Sequence, residues 1–338
     1  MAKEKFRNFH VDARQAGRTL SAALREWHPG QPWSKVQRLV RNRHVQVNGN
    51  LCLEEGRKLK AGDVVKVWAE PRAAPPKADD VKIVYLDTHL VVVEKPAGVT
   101  TLRHSEERHW PERRRQQQAT LDEMIRQQLA RHTKGRGQTP GRRGPPPALR
   151  AVHRLDRDTS GLMVFARTAD AERRLVQMFR KHDLLRAYLV LAHGRVRAQT
   201  IESSLVRDRG DGLRGSTRMP GIGKPAVTHV RPVERLDGYT LVECRLETGR
   251  THQIRIHLAE AGHMVCGEKV YNRPFKGKPI EDQSGAQRQM LHAAELGFEH
   301  PITGEALHFE MPMPADMQRL LVTLRGRKGN PPPAREKT

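Results

Sequence analysis

A densely charged segment, HRLDRDTSG at residues 153–161, runs directly into an apolar stretch at residues 162–166. A short apolar run of this kind is typical of a buried strand. Charged side chains are costly to bury unless they are paired. The chain must therefore fold with a turn at the head of a buried strand, and that turn must keep its charges in ion pairs or in a cleft.

Two carboxylates in this segment are candidates for chemistry, Asp156 and Asp158. Asp158 stands directly before a Thr-Ser-Gly sequence, which predicts an Asx-type turn contact for it. Asp156 is flanked by Arg154 and Arg157 and has no equally local role. From the segment alone, a structural ion pair and a catalytic base or nucleophile are equally consistent with Asp156.

Strand and helix patterns alternate irregularly after residue 80. Strands are predicted within residues 81–100, 186–196 and 238–248, and helices within residues 168–182 and 249–263. Thr168 is placed to cap the first of these helices. Mixed strands and helices without regular βαβ alternation predict an α+β fold with a largely antiparallel sheet.

The helix predicted at 249–263 has two distinct faces. Ile254, Leu258 and Ala261 share one face and are expected to point inward, while His252 and Arg255 lie one turn apart on another. Periodicity alone is consistent with a solvent-facing Arg255.

The first seventy residues form a separate pattern. A helix is predicted at residues 17–27, and a second one follows with Ser34 as its cap. Two short strand runs surround Asn48-Gly49, which is a strong hairpin signal, and a further strand is predicted at residues 61–70.

The second of these helices carries Lys35, Arg38 and Arg41 on one side. A solvated basic face is one explanation. However, the order of basic helix, Asn-Gly hairpin and Gly-Asp strand resembles the αL RNA-binding module first seen in a small-subunit ribosomal protein. The resemblance implies that these three cations contact RNA.

The charge balance indicates a polyanionic partner. Lysine and arginine total 61 against 38 aspartates and glutamates, a formal net charge of +23. Such a field favours capture of a polyanion. An acidic membrane surface is the alternative, but no long basic amphipathic helix or lipidation signal accompanies the charge, so nucleic acid is the leading partner class.

The sequence shows no pattern typical of a membrane span or a secretory signal. No run approaches the roughly 18–20 apolar residues of a membrane span, and the first residues lack the apolar core of a secretory signal. The three cysteines are scattered and show neither metal-ligand spacing nor a disulfide framework. The expectation is a cytoplasmic protein without membrane association, with a monomer as the default.

Several longer motifs resemble one family. The segment HRLDRDTSG is similar to the signature of the RluA family of RNA pseudouridine synthases, and RAYLVLAHG is similar to the family's second motif. LETGRTHQIRIHLAEAGHMVCGEKVY (246–271) resembles the third motif, and MLHAAELGFEHPITGEALHFEMPMP (290–314) resembles the closing segment. The resemblance covers about residues 81–320. Several long motifs in the correct order make coincidence improbable.

The resemblance implies a pseudouridine synthase fold, α+β with a largely antiparallel mixed sheet and flanking helices. It also implies a reaction without a cofactor, in which the N1 glycosidic bond of uridine is broken, the base rotates, and the bond re-forms at C5. An αL module in front is similar to the arrangement in branches that act on large-subunit ribosomal RNA. Transfer RNA stays open as a substrate.

The motifs also imply the site residues. The catalytic aspartate of the signature falls on Asp156, as nucleophile or base, and the tyrosine of the second motif falls on Tyr188, which could stack on an extruded uracil or assist proton transfer at C5. The arginine of HQIR falls on Arg255, which would hold Asp156 ionised. Arg154 could enter the stack vacated by the flipped base or contact phosphate. Without the resemblance, Tyr188 would be taken as an ordinary strand aromatic.

Two features depart from the family pattern. The lysine usual two positions before the tyrosine is Arg186 here, which keeps the charge and changes the donor geometry. A long basic connection also follows KPAG where relatives have a short one, and that leaves the choice of substrate open.

These patterns predict four parts of the chain. They are an RNA-binding domain at 11–70, a linker at 71–80, a catalytic domain at 81–324 and a disordered basic tail at 325–338. A basic, loop-rich insertion is predicted at about 103–150, with one helix at 119–131. The insertion could grip phosphates or be a solvated loop without a role.

Other function classes were weighed against this one. The sequence has no Walker-type phosphate loop and no dinucleotide GxGxxG, and His153, His252 and His257 show no metal-ligand pattern, so no cofactor or metal is expected. A non-catalytic RNA-binding or ribosome-assembly protein shares the charge and the αL module. A metal-dependent nuclease has little support, because no further carboxylates accompany the aspartate pair.

Overall fold

The computed structural model describes residues 6–48, 50–72, 74–103, 107, 109–110, 112, 115, 118–134, 148–273 and 278–326. Most of the predicted insertion outside its helix, and the predicted tail beyond residue 326, lie outside the described residues. The chain divides into two compact units. The N-terminal unit comprises residues 1–75 with 106–118, and the C-terminal unit comprises residues 76–105 and those from 119 onward.

The N-terminal unit is a four-stranded antiparallel sheet with two helices. Its elements are β1 (Phe6–His10), α1 (Leu20–Trp27), α2 (Trp33–Arg41), β2 (Val45–Val47), β3 (Asn50–Leu51) and β4 (Val64–Trp68), with strand order β1-β4-β2-β3. Val36 and Val40 of α2 pack into the apolar core of this unit, and the opposite side of α2 is left exposed.

The hairpin predicted at Asn48-Gly49 is confirmed. Val47 pairs with Asn50 across the turn, and Asn48 takes a positive φ of 52°. The Asn48 amide also ties the turn to β4, because it donates to Asp63 (2.8 Å) and accepts the backbone N–H of Val64 (2.8 Å). An asparagine tolerates this backbone region better than most residues.

The capping role predicted for Ser34 is wrong. Helix α2 begins at Trp33 with Pro32 at the N-cap, and no side chain makes the capping bond. Proline fixes its own φ at a value suited to entering the helix, and the helix starts two residues earlier than a Ser34 cap would place it. In α1 a conventional cap is present, since Thr19 accepts the N–H of Ala22.

The C-terminal unit is built on an eleven-stranded sheet. Its strands are β5 (Lys82–Leu86), β6 (Leu90–Lys95), β7 (Arg150–Ala151), β8 (Ser160–Ala166), β9 (Leu185–His193), β10 (Gln199–Val206), β11 (Gly215–Thr217), β12 (Lys224–Leu236), β13 (Tyr239–Leu246), β14 (Leu291–Glu299) and β15 (Ala306–Glu310). The main order is β11-β10-β12-β13-β9-β14-β8-β6-β5, with β15 on β14 and β7 on β8. Every pair is antiparallel except β8 with β14.

Four helices accompany this sheet: α3 (Leu121–Lys134), α4 (Ala169–Lys181), α5 (Gln253–Glu260) and α6 (Ala315–Gly326). The predicted cap of α4 is confirmed, since Thr168 accepts the N–H of Ala171 at 3.2 Å. Helix α6 includes the first two residues of the predicted tail. A short 3-10 turn at Ala78–Asp80 lies within the predicted linker. The predicted domain boundaries themselves stay predictions.

The strand predicted at residues 162–166 lies within β8, all seven of whose residues are buried. It lies between β6 and β14, so the charged segment before it leads into an interior strand of the sheet, third from one edge. Sheet and flanking helices together form the predicted α+β architecture. None of the helices in the described ranges combines the length and apolar character needed to span a bilayer.

Candidate active site

The turn that carries Asp156 is held through its backbone. All five carbonyls from Leu155 to Thr159 accept hydrogen bonds, and most of the donors come from outside the turn. Thr101 donates its hydroxyl to Leu155 O (2.9 Å). Gly98 donates its N–H to Arg157 O (2.8 Å), which fixes the turn to the loop after β6.

Two buried cations complete this arrangement. The Lys95 ammonium donates to the carbonyls of Arg157 (2.9 Å) and Thr159 (2.7 Å), and the Arg288 guanidinium donates to Asp158 O (3.1 Å). Burial lowers the pKa of Lys95 to about 7, against the opposing charges of Asp158 and Asp156. Lys95 is fully buried at the end of β6, so the turn is fixed by groups from β6, from the loop after it and from the segment before β14.

The Asx-type contact predicted for Asp158 is not found among the described residues. No hydrogen bond to the Asp158 carboxylate is present there, and the turn is closed instead by the Thr159 N–H on Asp156 O (3.2 Å). Backbone groups and the two cations supply the closure that the sequence pattern assigned to the Asp158 side chain.

Arg255 meets Asp156 directly. Its Nη1 donates to Asp156 Oδ2 at 2.9 Å, and the two side chains are 7% and 18% exposed. Periodicity alone left open a solvent-facing Arg255, but α5 is buried from Gln253 to Leu258. A helix enclosed on nearly all sides has no clear polar face, so the two-face pattern of the sequence could not locate this arginine.

Glu268 is a site residue that sequence reasoning did not single out. It accepts Nε and Nη2 of Arg255, both at 2.7 Å, and it also accepts the backbone N–H groups of Lys269 and Val270. Burial raises the pKa of Glu268, but the bonds and charge of Arg255 outweigh it and lower the pKa overall. Burial alone would lower the pKa of Arg255, yet its bonds to Glu268 and Asp156 raise it. The guanidinium is therefore permanently charged.

His252 and Tyr271 lie on the other side of the carboxylate. His252 Nε2 is 3.6 Å from Asp156 Oδ1, and its Nδ1 is 2.7 Å from the Tyr271 hydroxyl. His252 is the N-cap residue of α5, and its backbone is in the left-handed conformation (φ 61°). Burial, with the charge of Arg255, lowers the pKa of His252 against the opposing charge of Asp156.

Tyr188 is brought to the same region by strand register. It lies opposite Ala293 on β14, and Ala293 also pairs with Gly161 at the start of β8. Tyr188 is 9% exposed. Burial raises its pKa, with Arg186 opposing and Asp156 adding to the shift. The charges of Asp156 and Arg186 thus act on the Tyr188 phenol in opposite directions.

Arg186 is buried and holds a loop. Its Nη2 donates to the carbonyls of Leu246 (3.3 Å) and Glu247 (3.0 Å), and its guanidinium lies 5.6 Å from the Phe179 ring centre. Its Nε is buried without a partner among the described residues. Burial lowers the pKa of this arginine. The arginine that stands here in place of the family's lysine therefore donates to the backbone of the loop at 246–249.

The remaining predicted residues lie on surfaces. Arg154 is exposed in the turn itself. Lys35, Arg38 and Arg41 are all exposed on α2, and Arg41 pairs with Glu55. These four cations are accessible.

His153 and His257 have structural partners. His153 accepts the N–H of Val164 (3.1 Å) and stacks on Phe179, and burial lowers its pKa to about 3. His257 bonds Ser203 and Thr228, and burial lowers its pKa to about 4. Both imidazoles are neutral at pH 7 and pack within the fold.

The fold is a mixed sheet with a carboxylate–guanidinium pair at the head of its interior strand β8, and the N-terminal unit carries an exposed basic helix, as the resemblance to RNA pseudouridine synthases implies. A family model for RNA pseudouridylate synthase matches residues 89–260, and a model for the S4 domain matches residues 20–65. The chain belongs to the RNA pseudouridylate synthase family, with an S4 domain in front.

Two relatives are similar to this chain over most of its length. Ribosomal large subunit pseudouridine synthase D of Zymomonas mobilis is 37% identical over 281 residues, covering 82% of this chain and 84% of that protein. The protein of the same name from Escherichia coli K12 is 32% identical over 329 residues, covering 93% of each. The resemblance to the RluA family is thereby confirmed, and the chain is an isomerase.

A solved structure shows the same fold. Human RNA Pseudouridylate Synthase Domain Containing 4 matches with a TM-score of 0.55 and 22% identity, covering 72% of this chain and 92% of that one. The predicted fold class is thereby confirmed.

Proposed function

We propose that this protein converts uridine to pseudouridine in large-subunit ribosomal RNA, with Asp156 as the catalytic carboxylate. The observation that carries the proposal is the Asp156–Arg255 ion pair at the head of β8, at 2.9 Å. The choice of RNA rests on the relatives named ribosomal large subunit pseudouridine synthase D. Action in the cytoplasm, as a monomer and without a cofactor, belongs to the same proposal.

The reaction is an internal exchange. The bond from C1′ to N1 breaks, the base rotates, and a bond from C1′ to C5 forms, while C5 loses a proton and N1 gains one. Atoms and charge balance without an external reactant. Asp156 acts as nucleophile or base in this exchange, and Arg255 keeps its carboxylate oriented and charged.

Tyr188 faces the extruded uracil from β9, which is separated from β8 by β14. Since its pKa is raised, its hydroxyl stays protonated at neutral pH. It therefore serves as a stacking surface for the extruded uracil and as a proton donor, rather than as a phenolate base. Among the described residues Asp156 is the better candidate for the base.

Exposed cations hold the RNA in this proposal. Arg154, beside the catalytic turn, contacts phosphate or occupies the stack left by the flipped uridine. Lys35, Arg38 and Arg41 contact the RNA backbone from the S4 domain, because exposed cations on one helix bind phosphates without reading sequence.

The test is release of tritium from RNA labelled at C5 of uridine, since that hydrogen must leave. Wild-type protein should release label from ribosomal RNA of cells that lack this enzyme. Asp156→Asn should abolish release while RNA binding and folding persist. Asp170→Asn, an exposed aspartate on α4 paired with Arg173, is the matched control and should release label normally.

The outcomes separate the competing functions. Release by Asp156→Asn would remove this residue from the reaction. A wild type that binds RNA and releases nothing would favour a non-catalytic ribosome-assembly role. Mapping pseudouridine in cells with and without the gene would identify the RNA class and the uridine.

A further inference from the structure

We infer that His252, held in one tautomer by Tyr271, is a positioning residue for Asp156: it directs an N–H at the carboxylate oxygen that Arg255 leaves open. The inference rests on the proposed function, since it assigns a role in the same reaction. His252 and Tyr271 both lie within the third motif, at 246–271, but nothing in the sequence indicates that they contact each other.

The two oxygens of Asp156 face different groups from one short stretch of chain. Arg255 Nη1 holds Oδ2 at 2.9 Å, and His252 Nε2 lies 3.6 Å from Oδ1. His252 is the N-cap of α5 and Arg255 is in its first turn. The His252 distance is too long for a hydrogen bond in the free protein. Such contacts commonly tighten when the substrate is bound.

The backbone of His252 is held in an unfavourable conformation. Its φ of 61° and ψ of 18° lie in the left-handed region, which costs free energy for residues other than glycine. The strain is sustained by the surroundings, since the His252 side chain is about three-quarters buried and packs edge-on against Tyr271. In this conformation the imidazole is directed toward the carboxylate.

Tyr271 sets the position of the imidazole proton. Its hydroxyl is 2.7 Å from His252 Nδ1, and burial raises the Tyr271 pKa to about 12, so the hydroxyl keeps its proton and can donate it to Nδ1. With Nδ1 accepting, the single proton of the neutral ring is on Nε2, facing Asp156 Oδ1. The other tautomer would direct a lone pair at the carboxylate and be repelled.

Charged groups around the ring are consistent with this neutral state. Burial lowers the pKa of His252, Arg255 and Arg214 lower it further, and Asp156 and Glu268 oppose them. The net shift is downward, so the ring is neutral at pH 7. Glu268 and Tyr271 also come from one turn, since the Tyr271 N–H donates to Glu268 Oε1 (3.3 Å). That turn therefore supports both His252 and Arg255.

Three variants test the inference: His252→Gln, His252→Asn and Tyr271→Phe. Glutamine can place an amide N–H where Nε2 was, whereas asparagine cannot reach that position. Asparagine, however, adopts the left-handed backbone more readily than glutamine. A positioning role and a purely structural role therefore rank the two His252 variants in opposite orders.

The readout is tritium release, with kcat and KM measured separately. His252→Asn should lower kcat by about 100-fold with KM little changed, the scale of loss from misplaced reacting groups. His252→Gln should stay within about tenfold of wild type. Tyr271→Phe should fall between them, because the ring is no longer restricted to one tautomer. His308→Gln and Tyr85→Phe are matched controls elsewhere in the sheet and should behave as wild type.

The inference is overturned if His252→Asn equals or exceeds His252→Gln in kcat, or if Tyr271→Phe turns over like wild type. Either result would leave the proposed function standing. Absence of tritium release from the wild type would instead refute the proposed function.

Discussion

At the scale of single residues, the site depends on one buried guanidinium shared by two carboxylates. Arg255 gives two nitrogens to Glu268 and the third to Asp156. Because Glu268 is itself fixed by backbone N–H groups, the nitrogen directed at Asp156 has little freedom. This fixes the Asp156 carboxylate without enclosing it, since Asp156 is 18% exposed.

Removing the charge of Glu268 should affect both stability and turnover. We expect Glu268→Gln to lower the free energy of unfolding by about 3 kcal/mol. The glutamine amide keeps one acceptor oxygen but has no negative charge, so the buried Arg255 loses one of its two charged partners. It should also lower kcat more than it raises KM. Urea unfolding and tritium release are the measurements.

Matched variants define the control for this change. Glu268→Asp keeps the charge with a shorter reach and should be intermediate. Glu243→Gln, which removes the partner of Arg231 and Arg245 at the surface, should change stability by less than about 1 kcal/mol. Equal losses from Glu268→Gln and Glu243→Gln would contradict the special role of the buried pair.

Asp282, which contacts the backbone next to Glu268, should make the stability of the protein depend on pH. Its carboxylate accepts the N–H groups of Gly267 and Ser284 and bonds His193 (2.9 Å). Burial opposes these interactions, but they lower its pKa from 3.8 to about 2. A lowered pKa contributes stability that is present above pH 3.8 and is lost as the pH falls toward 2.

The contribution of Asp282 is about 2 kcal/mol at neutral pH. Asp282→Asn should therefore be less stable than wild type at pH 6, and the difference should narrow at pH 3. Asp79→Asn, at an exposed ion pair, is the control and should give no such narrowing. A difference for Asp282→Asn that is constant from pH 6 to pH 3 would contradict the assignment.

At the scale of elements, the single parallel pairing of the sheet determines the site. Strand β8 runs beside β14 only at its first residues, Ser160 and Gly161. A side chain at Gly161 would place its Cβ 2.3 Å from Ala293 O, and the backbone there has a φ of 130°. This close approach brings the turn of Asp156 to the strand that is paired with Tyr188.

Substituting Gly161 should therefore be more harmful than backbone strain alone predicts. Gly161→Ala should destabilise by roughly 3 kcal/mol or more, from strain and overpacking together. Gly304→Ala shares a positive φ with no atom within 4 Å of the added Cβ, and it should cost about 1 kcal/mol. Thermal or urea unfolding compares them, and equal costs would show that the contact with Ala293 yields easily.

At the scale of the whole molecule, the charge and the division into two units suit a large polyanion. The formal net charge is +23, and each unit has its own apolar core. In the proposed function the S4 domain contributes RNA affinity and the C-terminal unit contributes the chemistry. The two contributions should therefore be separable by mutation.

The separation predicts a change in salt dependence. Replacing Lys35, Arg38 and Arg41 together by glutamine should weaken RNA binding and reduce the slope of log K against log salt by about 2. Single-turnover tritium release at saturating RNA should be unchanged. Replacing Arg173, Arg231 and Arg245 together by glutamine makes the same change in net charge in the C-terminal unit. This control variant should keep the wild-type slope. Equal slopes for the two triple variants would contradict a role for α2.

The sequence by itself determined the features that rest on local pattern. The buried strand β8, the turn at Asn48, the cap at Thr168 and the α+β class all follow from periodicity and turn chemistry within short windows. The motifs likewise pointed to Asp156 and Arg255, whose pairing at 2.9 Å joins positions 99 residues apart. Whether that pair is catalytic stays a proposal.

Only the tertiary structure decided how the charges of the turn are satisfied. Lys95, Arg288 and Glu268 are far from Asp156 in sequence, and nothing in their own segments indicates that they fix the turn or its arginine. The predictions for Asp158 and Ser34 failed for the same reason, since distant groups and a neighbouring proline supplied what the local pattern assigned to a side chain. Local rules determine which conformations a segment prefers, whereas burial and pairing of charge depend on strands that meet only when the sheet is complete.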